Sequence, residues 1–300
     1  MKIALKHTLI LLALLAAGIN VKAQSAESLL KSMQGPETAD RVVIFKASRL
    51  VNQRTTEMIK KQNLNFLIIH RFGDIAGSLG GPQTAFGLDR VNDVYFGFEY
   101  GISDRLNIDF GRSTIGQLLQ LGLKYAVLQQ TSDNRSPFAL TLIGEAGIRP
   151  YGAFQTFEGR ASYLLQAAIA RKFSPALSLQ LSPTFVRNNT PYPLMPGSEQ
   201  QFFALQAAAR IKLSKRMGVL LDYAHTFSDL RNNNINFQDP IGVGLEMETG
   251  GHVFTVNVTN TNAVSGINYL SNPAFRFSQG QYRLGFTISR MFDFGPKSKK

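Results

Sequence analysis

Nine ionisable side chains fall on one phase of an alternating pattern: Glu99, Asp109, Lys124, Glu145, Arg210, Lys212, Asp222, Glu246 and Arg283. Each lies in a run where every second residue is apolar, which puts all nine on the polar faces of strands. Carboxylates and bases gathered on one surface pair with each other, or they leave a charged lining that favours solutes of one sign. Two readings follow: a salt-bridged interior that stabilises the fold, and a selectivity ring or small-molecule site.

Other chemistry is harder to find. His70, His225 and His252 begin the triplets His-Arg-Phe, His-Thr-Phe and His-Val-Phe. The His-x-Ser-Asn-Gly order with which barrel phospholipases activate a serine is missing, and no two histidines have the His-x-x-x-His spacing that grips zinc. The stretch Gly77 to Pro82, GSLGGP, is glycine-rich, but no Gly-Lys-Ser/Thr follows to make a phosphate cradle. The sequence therefore nominates no catalytic residue, no metal ligand and no cofactor site.

The elements that must position the nine charges are strands. Between Asp93 and Arg112, DVYFGFEYGISDRLNIDFGR puts Val94, Phe96, Phe98, Tyr100, Leu106, Ile108 and Phe110 on one face. Tyr95, Gly97, Glu99, Asn107, Asp109 and Gly111 lie on the other. From Asn63 onward the pattern predicts twelve strands, at 64–72, 93–101, 106–111, 118–128, 138–146, 162–171, 177–186, 201–213, 218–226, 241–247, 252–259 and 281–292. Short turns follow the even-numbered strands and longer loops the odd ones, with Arg112–Gln117 the one short exception. All tight turns then lie at one end of the sheet, as in an up-and-down antiparallel transmembrane β-barrel with periplasmic turns and outer loops. A Greek-key sandwich has no reason to keep that parity.

Composition fits export. The first residues, MKIALKHTLILLALLAAGINVKAQ, have basic Lys2 and Lys6, an apolar run and a small-residue site before Gln24, which is the form of a signal peptide over 1–23. The chain has 32 basic and 20 acidic residues; without Lys2, Lys6 and Lys22 the excess is +9. These charges are scattered rather than gathered in a stripe, which speaks against nucleic acid and for outer-membrane lipid and lipopolysaccharide as the counter-charge. There is no cysteine to staple the fold.

The motifs His70-Arg71-Phe72-Gly73, Phe86-Gly87-Leu88-Asp89, Glu99-Tyr100-Gly101-Ile102-Ser103-Asp104 and Lys124-Tyr125 with Gln129 resemble an uncharacterised outer-membrane β-barrel family of Bacteroidota, a domain of unknown function. The likeness runs by local motif from about Phe45 into strand 138–146, and beyond that by strand pattern. It implies an outer-membrane barrel and supplies no activity, substrate or catalytic residue.

The expected organisation is a signal peptide over 1–23, a periplasmic extension or lumen plug over 24–62, a barrel over 63–295 and a basic tail over 296–300. The expected role is a small-solute channel or a structural barrel in the outer membrane, with no enzyme activity. A secreted soluble β-sandwich that binds a ligand and a barrel lipid hydrolase are the alternatives. On the barrel reading, Leu179→Arg on the lipid face costs about 2–4 kcal/mol near the midplane, whereas Gln180→Arg on a solvated lumen face costs little.

Overall fold

The computed structural model describes residues 40–154, 156–190, 199–234, 237–272 and 274–295. The leader, residues 24–39 and the basic tail lie outside them. Twelve strands form: β1 Asn63–Asp74, β2 Val91–Ser103, β3 Leu106–Ser113, β4 Leu119–Leu128, β5 Ala139–Ile148, β6 Ala161–Lys172, β7 Leu177–Asn188, β8 Gln201–Lys212, β9 Met217–Phe227, β10 Ile241–Thr249, β11 His252–Thr259 and β12 Arg283–Asp293. Each pairs antiparallel with its sequence neighbours, and β1 closes onto β12 in a register that sets Asn63 opposite Asp293 and Ile68 opposite Ile288. A closed ring has no edge, which excludes the sandwich alternative.

Period-two alternation sorts the side chains. Phe96, Phe98, Tyr100 and Phe110 of the first hairpin face outward and exposed, while Tyr95, Glu99, Asn107 and Asp109 are buried inside. Tyr95 fits on the inner face because Gly111 stands beside it; a Cβ there would lie 2.0 Å from the Tyr95 hydroxyl. Arg–Phe pairs two residues apart mark the turn-side rim of the outer face: Arg171 sits over the Phe173 ring and Arg290 over the Phe292 ring. Such pairs suit a boundary between oil and headgroups.

Three of the tight turns share one local device. Ser103, Ser174 and Ser214 each accept, through Oγ, the backbone N–H groups two and three residues on, at 3.0–3.2 Å. The serine replaces partners that the reversing backbone has lost. With the termini of β1 and β12, these turns occupy one end of the ring and the long connections the other. The connection between β3 and β4, over 114–118, is the short one on the loop side.

Two segments outside the ring's strands fill its interior. Residues 41–61 enter at the turn end, where Val42 N–H donates to Gln130 at 2.8 Å. The segment reverses between Arg49 and Arg54, which form an antiparallel bridge closed by Leu50 N–H to Gln53 O at 3.0 Å. It returns to the turn end, where Gln62 N–H reaches Gly101 O at 2.8 Å, and runs into β1. Its partners span β1 to β11 around the ring, so it lies within the ring as a re-entrant hairpin. The loose alternation of RVVIFKASRLV makes no strand of the barrel wall.

The second segment is the connection between β11 and β12. It folds back into the loop-side half and carries the helix Gly266–Ser271, all six residues of which are buried. Ser265 caps that helix by accepting Asn268 N–H at 3.1 Å.

Candidate functional site

Four of the nine charges meet at one place on the inner wall. Glu99 from β2, Asp109 from β3 and Glu145 from β5 converge on a single guanidinium, that of Arg54 in the hairpin. Its Nη2 lies 2.7 Å from Asp109 Oδ2 and 3.6 Å from Glu99 Oε1; its Nη1 lies 2.8 Å from Glu145 Oε1 and 3.1 Å from Asp109 Oδ1. All four side chains are at most 5% exposed, so water screens little of this attraction. The fourth charge, Lys124 of β4, donates its ammonium to the Glu57 carbonyl of the hairpin. Neighbouring strands complete the setting. Asn65 Nδ2 donates to Glu99 at 2.9 Å, and Gln120 Nε2 donates to Glu145 Oε2 at 2.9 Å. Gly122 on β4 leaves the space that Asp109 occupies, since a Cβ there would lie 2.4 Å from both carboxylate oxygens.

The remaining candidates are dispersed. Asp222 of β9 receives the tip of the hairpin, accepting from Asn52 N–H at 2.6 Å and from Asn52 Nδ2 at 2.8 Å. Arg210 of β8 pairs with Glu246 of β10 at 2.7 Å, close to the turn end. Arg283 of β12 pairs with Asp74 at 2.7 Å on the loop side and lies over the Phe275 ring. Lys212 shares the inward phase but stands exposed at the last residue of β8, so it joins no cluster.

Sequence reasoning missed the groups that fill the ring. Arg54, Asn52, Gln53 and Glu57 lie in a stretch without periodicity, and their partners are 55 to 170 residues away along the chain in cases such as Arg54–Asp109 and Asn52–Asp222. Gln180 is also more than a polar inner residue. Its amide oxygen accepts from Thr56 N–H at 3.1 Å and its Nε2 donates to Arg54 O at 2.7 Å. The solvated inner face behind the expectation that Gln180→Arg costs little is not what the structure has, because that face is covered by the hairpin rather than by water.

The loop-side half is built differently. Ile267, Tyr269 and Leu270 pack against Leu118, Leu164, Val186 and Phe202 of the wall in an apolar core. A few polar ties hold the segment: Asp93 accepts from Val264 N–H at 2.9 Å, Tyr269 donates to Gln206, and Arg231 donates to the Leu270 and Ser271 carbonyls at 2.6 and 2.7 Å. Burial pulls the Arg231 guanidinium down to about 10, which leaves it charged at neutral pH beside the helix's C-terminal carbonyls.

At the turn end, a cavity of about 270 Å³ opens between the hairpin's Phe45 and Met58 and the wall's Asn65, Ser289 and Met291. A groove of about 530 Å³ lies on the outward face among Leu142, Leu165, Phe185 and Phe203. Its apolar walls belong with lipid rather than with a solute path.

The three histidines face outward. His70 stacks on Phe286, His252 stacks on Phe254, and His225 packs edge-on against Phe227 while its Nδ1 lies 2.9 Å from Asp239. Among the described residues no group of three histidine, aspartate or glutamate side chains could hold a metal ion. No helix among them is long and apolar enough to cross a membrane.

The family described as "Membrane bound beta barrel domain (DUF5777)" matches residues 45–292, from within the hairpin to the end of the last strand. Among solved structures the chain is similar to a NanC porin, with 6% identity, a TM-score of 0.46, and coverage of 77% of this chain and 100% of that one. It is similar also to a KdgM porin, at 8% identity, TM-score 0.44 and coverage of 78% and 99%. An outer membrane channel from Pseudomonas putida F1 gives 12% identity, TM-score 0.47 and coverage of 79% and 98%. No curated protein matches the chain.

Proposed function

The chain belongs to the family of membrane-bound β-barrel domains, and from that premise we propose that it is an outer-membrane channel for small solutes, held shut by its hairpin 41–61. The observation that carries this reading is the chemistry of the inner wall. Glu99, Asp109, Lys124, Glu145 and Asp222 are buried, yet their partners come from the hairpin 41–61. A wall that only had to be filled would be served by apolar side chains, because a buried ion pair adds little to stability over a well-packed apolar pair. The hairpin also packs Ile44, Phe45, Leu50 and Val51 on the wall, but a wall whose buried charges are met by a segment outside the ring is suited to hold water and solute once that segment moves, and a twelve-stranded ring is wider than one that side chains alone fill.

In this reading the hairpin is a lumen plug. The tight turns face the periplasm, the long loops face outward, and the apolar outer surface lies in lipid with lipopolysaccharide around the loops. The leader-like first residues and the motif likeness to barrels of Bacteroidota support the outer membrane.

Planar-bilayer recording tests the proposal. The intact protein is expected to be silent or to open briefly, and Asn52→Ala/Arg54→Ala, which unlatches the hairpin at Asp222 and at the carboxylate cluster, is expected to give stepwise conductance. Folded protein that stays silent in both forms would make this a structural barrel.

A further inference from the structure

We infer that the nest formed by Glu99, Asp109, Glu145 and Gln120 is a receptor for small guanidinium and ammonium cations, and that Arg54 occupies it as a tethered stand-in for such a solute. The inference deepens the channel reading by naming cations as the solute class, and its role in transport rests on that reading.

The nest offers more acceptors than Arg54 uses. Asp109 grips the planar fork with both oxygens and Glu145 takes a third contact, the arrangement that suits a guanidinium best. Glu99 stands 3.6 Å away as an additional negative charge. The second, independent sign is Gln120, which is 2% exposed: its amide nitrogen is tied to Glu145 while its amide oxygen has no partner. A buried acceptor beside Glu145 that takes no donor from the protein can accept one from a cation's N–H groups. Arg54 fills the nest from a segment that is joined to the wall by side-chain contacts rather than by strand pairing, and a free cation with the same head group competes for the same atoms.

The charge of the departing segment points the same way. Residues 41–61 carry Arg41, Lys46, Arg49, Arg54, Lys60 and Lys61 against the single acid Glu57. When they leave, Glu99, Asp109, Glu145 and Asp222 are uncovered, with Lys124 as the near counter-charge. Once uncovered, three carboxylates this close repel one another and relieve that repulsion by taking a proton or a cation, so at neutral pH the emptied nest favours a cation from solution. Anions meet the same field as a barrier.

Chemical rescue in detergent tests this with the full-length chain. Arg54→Ala is expected to lower the midpoint of the heat-modifiable gel shift by about 10 °C. Millimolar methylguanidinium chloride is expected to recover at least half of that loss, where sodium chloride at the same concentration recovers none. If Arg54→Ala does not fold in sodium chloride, the refolded fraction obtained with methylguanidinium becomes the readout. In Arg54→Ala/Glu145→Gln the methylguanidinium-dependent recovery is expected to vanish. Recovery no better than with sodium chloride, or recovery that survives Glu145→Gln, overturns the inference. The assay needs no conduction. Rescue without conductance would sink the channel reading and leave the cation site standing, whereas conductance without rescue would sink the site alone.

Discussion

Both halves of the barrel interior hold an apolar core, but the turn side adds a cluster of buried ion pairs. On the turn side, residues 41–61 meet the wall through charges and amides, Arg54 on Asp109 and Glu145, Asn52 on Asp222, and Thr56 and Arg54 on Gln180, and also through Ile44, Phe45, Leu50 and Val51 packed with Ala139, Ala170, Ala208 and Leu220. On the loop side, the helix Gly266–Ser271 meets it through Ile267, Tyr269 and Leu270 packed on Leu118, Leu164 and Phe202. Lifting the first would exchange its hydrogen bonds for bonds to water and ions, which are nearly equivalent once both sides are solvated, and would also expose Ile44, Phe45, Leu50 and Val51. Lifting the second exposes apolar area with nothing to replace it, at about 25 cal/mol per Å². In the proposed channel the hairpin is the moving part, because its ion pairs are the contacts that a solute or salt can take over.

The largest effect expected from breaking that contrast is on the ionic side. Arg54→Ala leaves three buried carboxylates without their cation and is expected to cost about 3–5 kcal/mol in denaturant unfolding of detergent-solubilised protein. If unpaired charge is the cause, Asp109→Asn and Glu145→Gln in the same background recover most of the loss. A loss that persists after neutralisation would mean that Arg54 acts by packing, and the contrast between the halves would fail.

Next is the apolar side. Ile267→Ala removes a fully buried side chain from the loop-side core and is expected to cost roughly 2–4 kcal/mol through lost transfer energy and a cavity. It is expected to leave the hairpin's protection from added protease unchanged, whereas Arg54→Ala exposes the hairpin to cleavage. The two losses should add within about 0.5 kcal/mol if the halves are independent. A coupling of several times that size would show that the segments open together.

Much of the ring was legible in the sequence, and the reason is geometric. A strand that crosses lipid must put alternate residues on opposite surfaces, so the inner phase of Glu99, Asp109 and Glu145 is written locally. Turn parity likewise follows from connection length. What fills the ring has no such signature. The hairpin's RLVNQRTTE has no period, and the loop's Val264 to Leu270 reads as a short apolar stretch in a long connection. Only closure of the ring brings Arg54 to β3 and β5, or Tyr269 to β8, and no local pattern records contacts between residues so far apart in sequence. Lys212 shows the opposite limit: the phase is right, but the strand ends before the residue reaches the interior.

A paired substitution sharpens the reading of the two faces. Leu179 points to lipid but pairs across the sheet with Arg171 of the turn-side rim, so Leu179→Arg is expected to cost about 0–1 kcal/mol there rather than the roughly 2–4 kcal/mol of the midplane. Gln180→Arg is now expected to cost at least as much as a broken buried hydrogen bond, about 1–3 kcal/mol, because it removes the acceptor for Thr56 N–H and forces a second guanidinium beside Arg54. Unfolding in lipid vesicles gives both values. A neutral Gln180→Arg would mean that the hairpin is absent from the lumen in the folded membrane state.

The smallest effect is expected where the hairpin meets water. Lys46 pairs with Glu248 at 2.9 Å, but both side chains are more than a third exposed, so Coulomb attraction there is screened and offset by the entropy of holding two long side chains. Lys46→Ala is expected to change global stability by less than about 1 kcal/mol, an effect that shrinks further as salt is raised. The position is informative because it shares a segment with Arg54 and differs from it only in depth. If Lys46→Ala destabilised as strongly as Arg54→Ala, the hold on the hairpin would lie at the mouth, and the carboxylate nest would no longer be the latch. A small, salt-sensitive effect at Lys46 beside a large one at Arg54 places the latch deep in the wall, where a solute cation has to travel before it can compete.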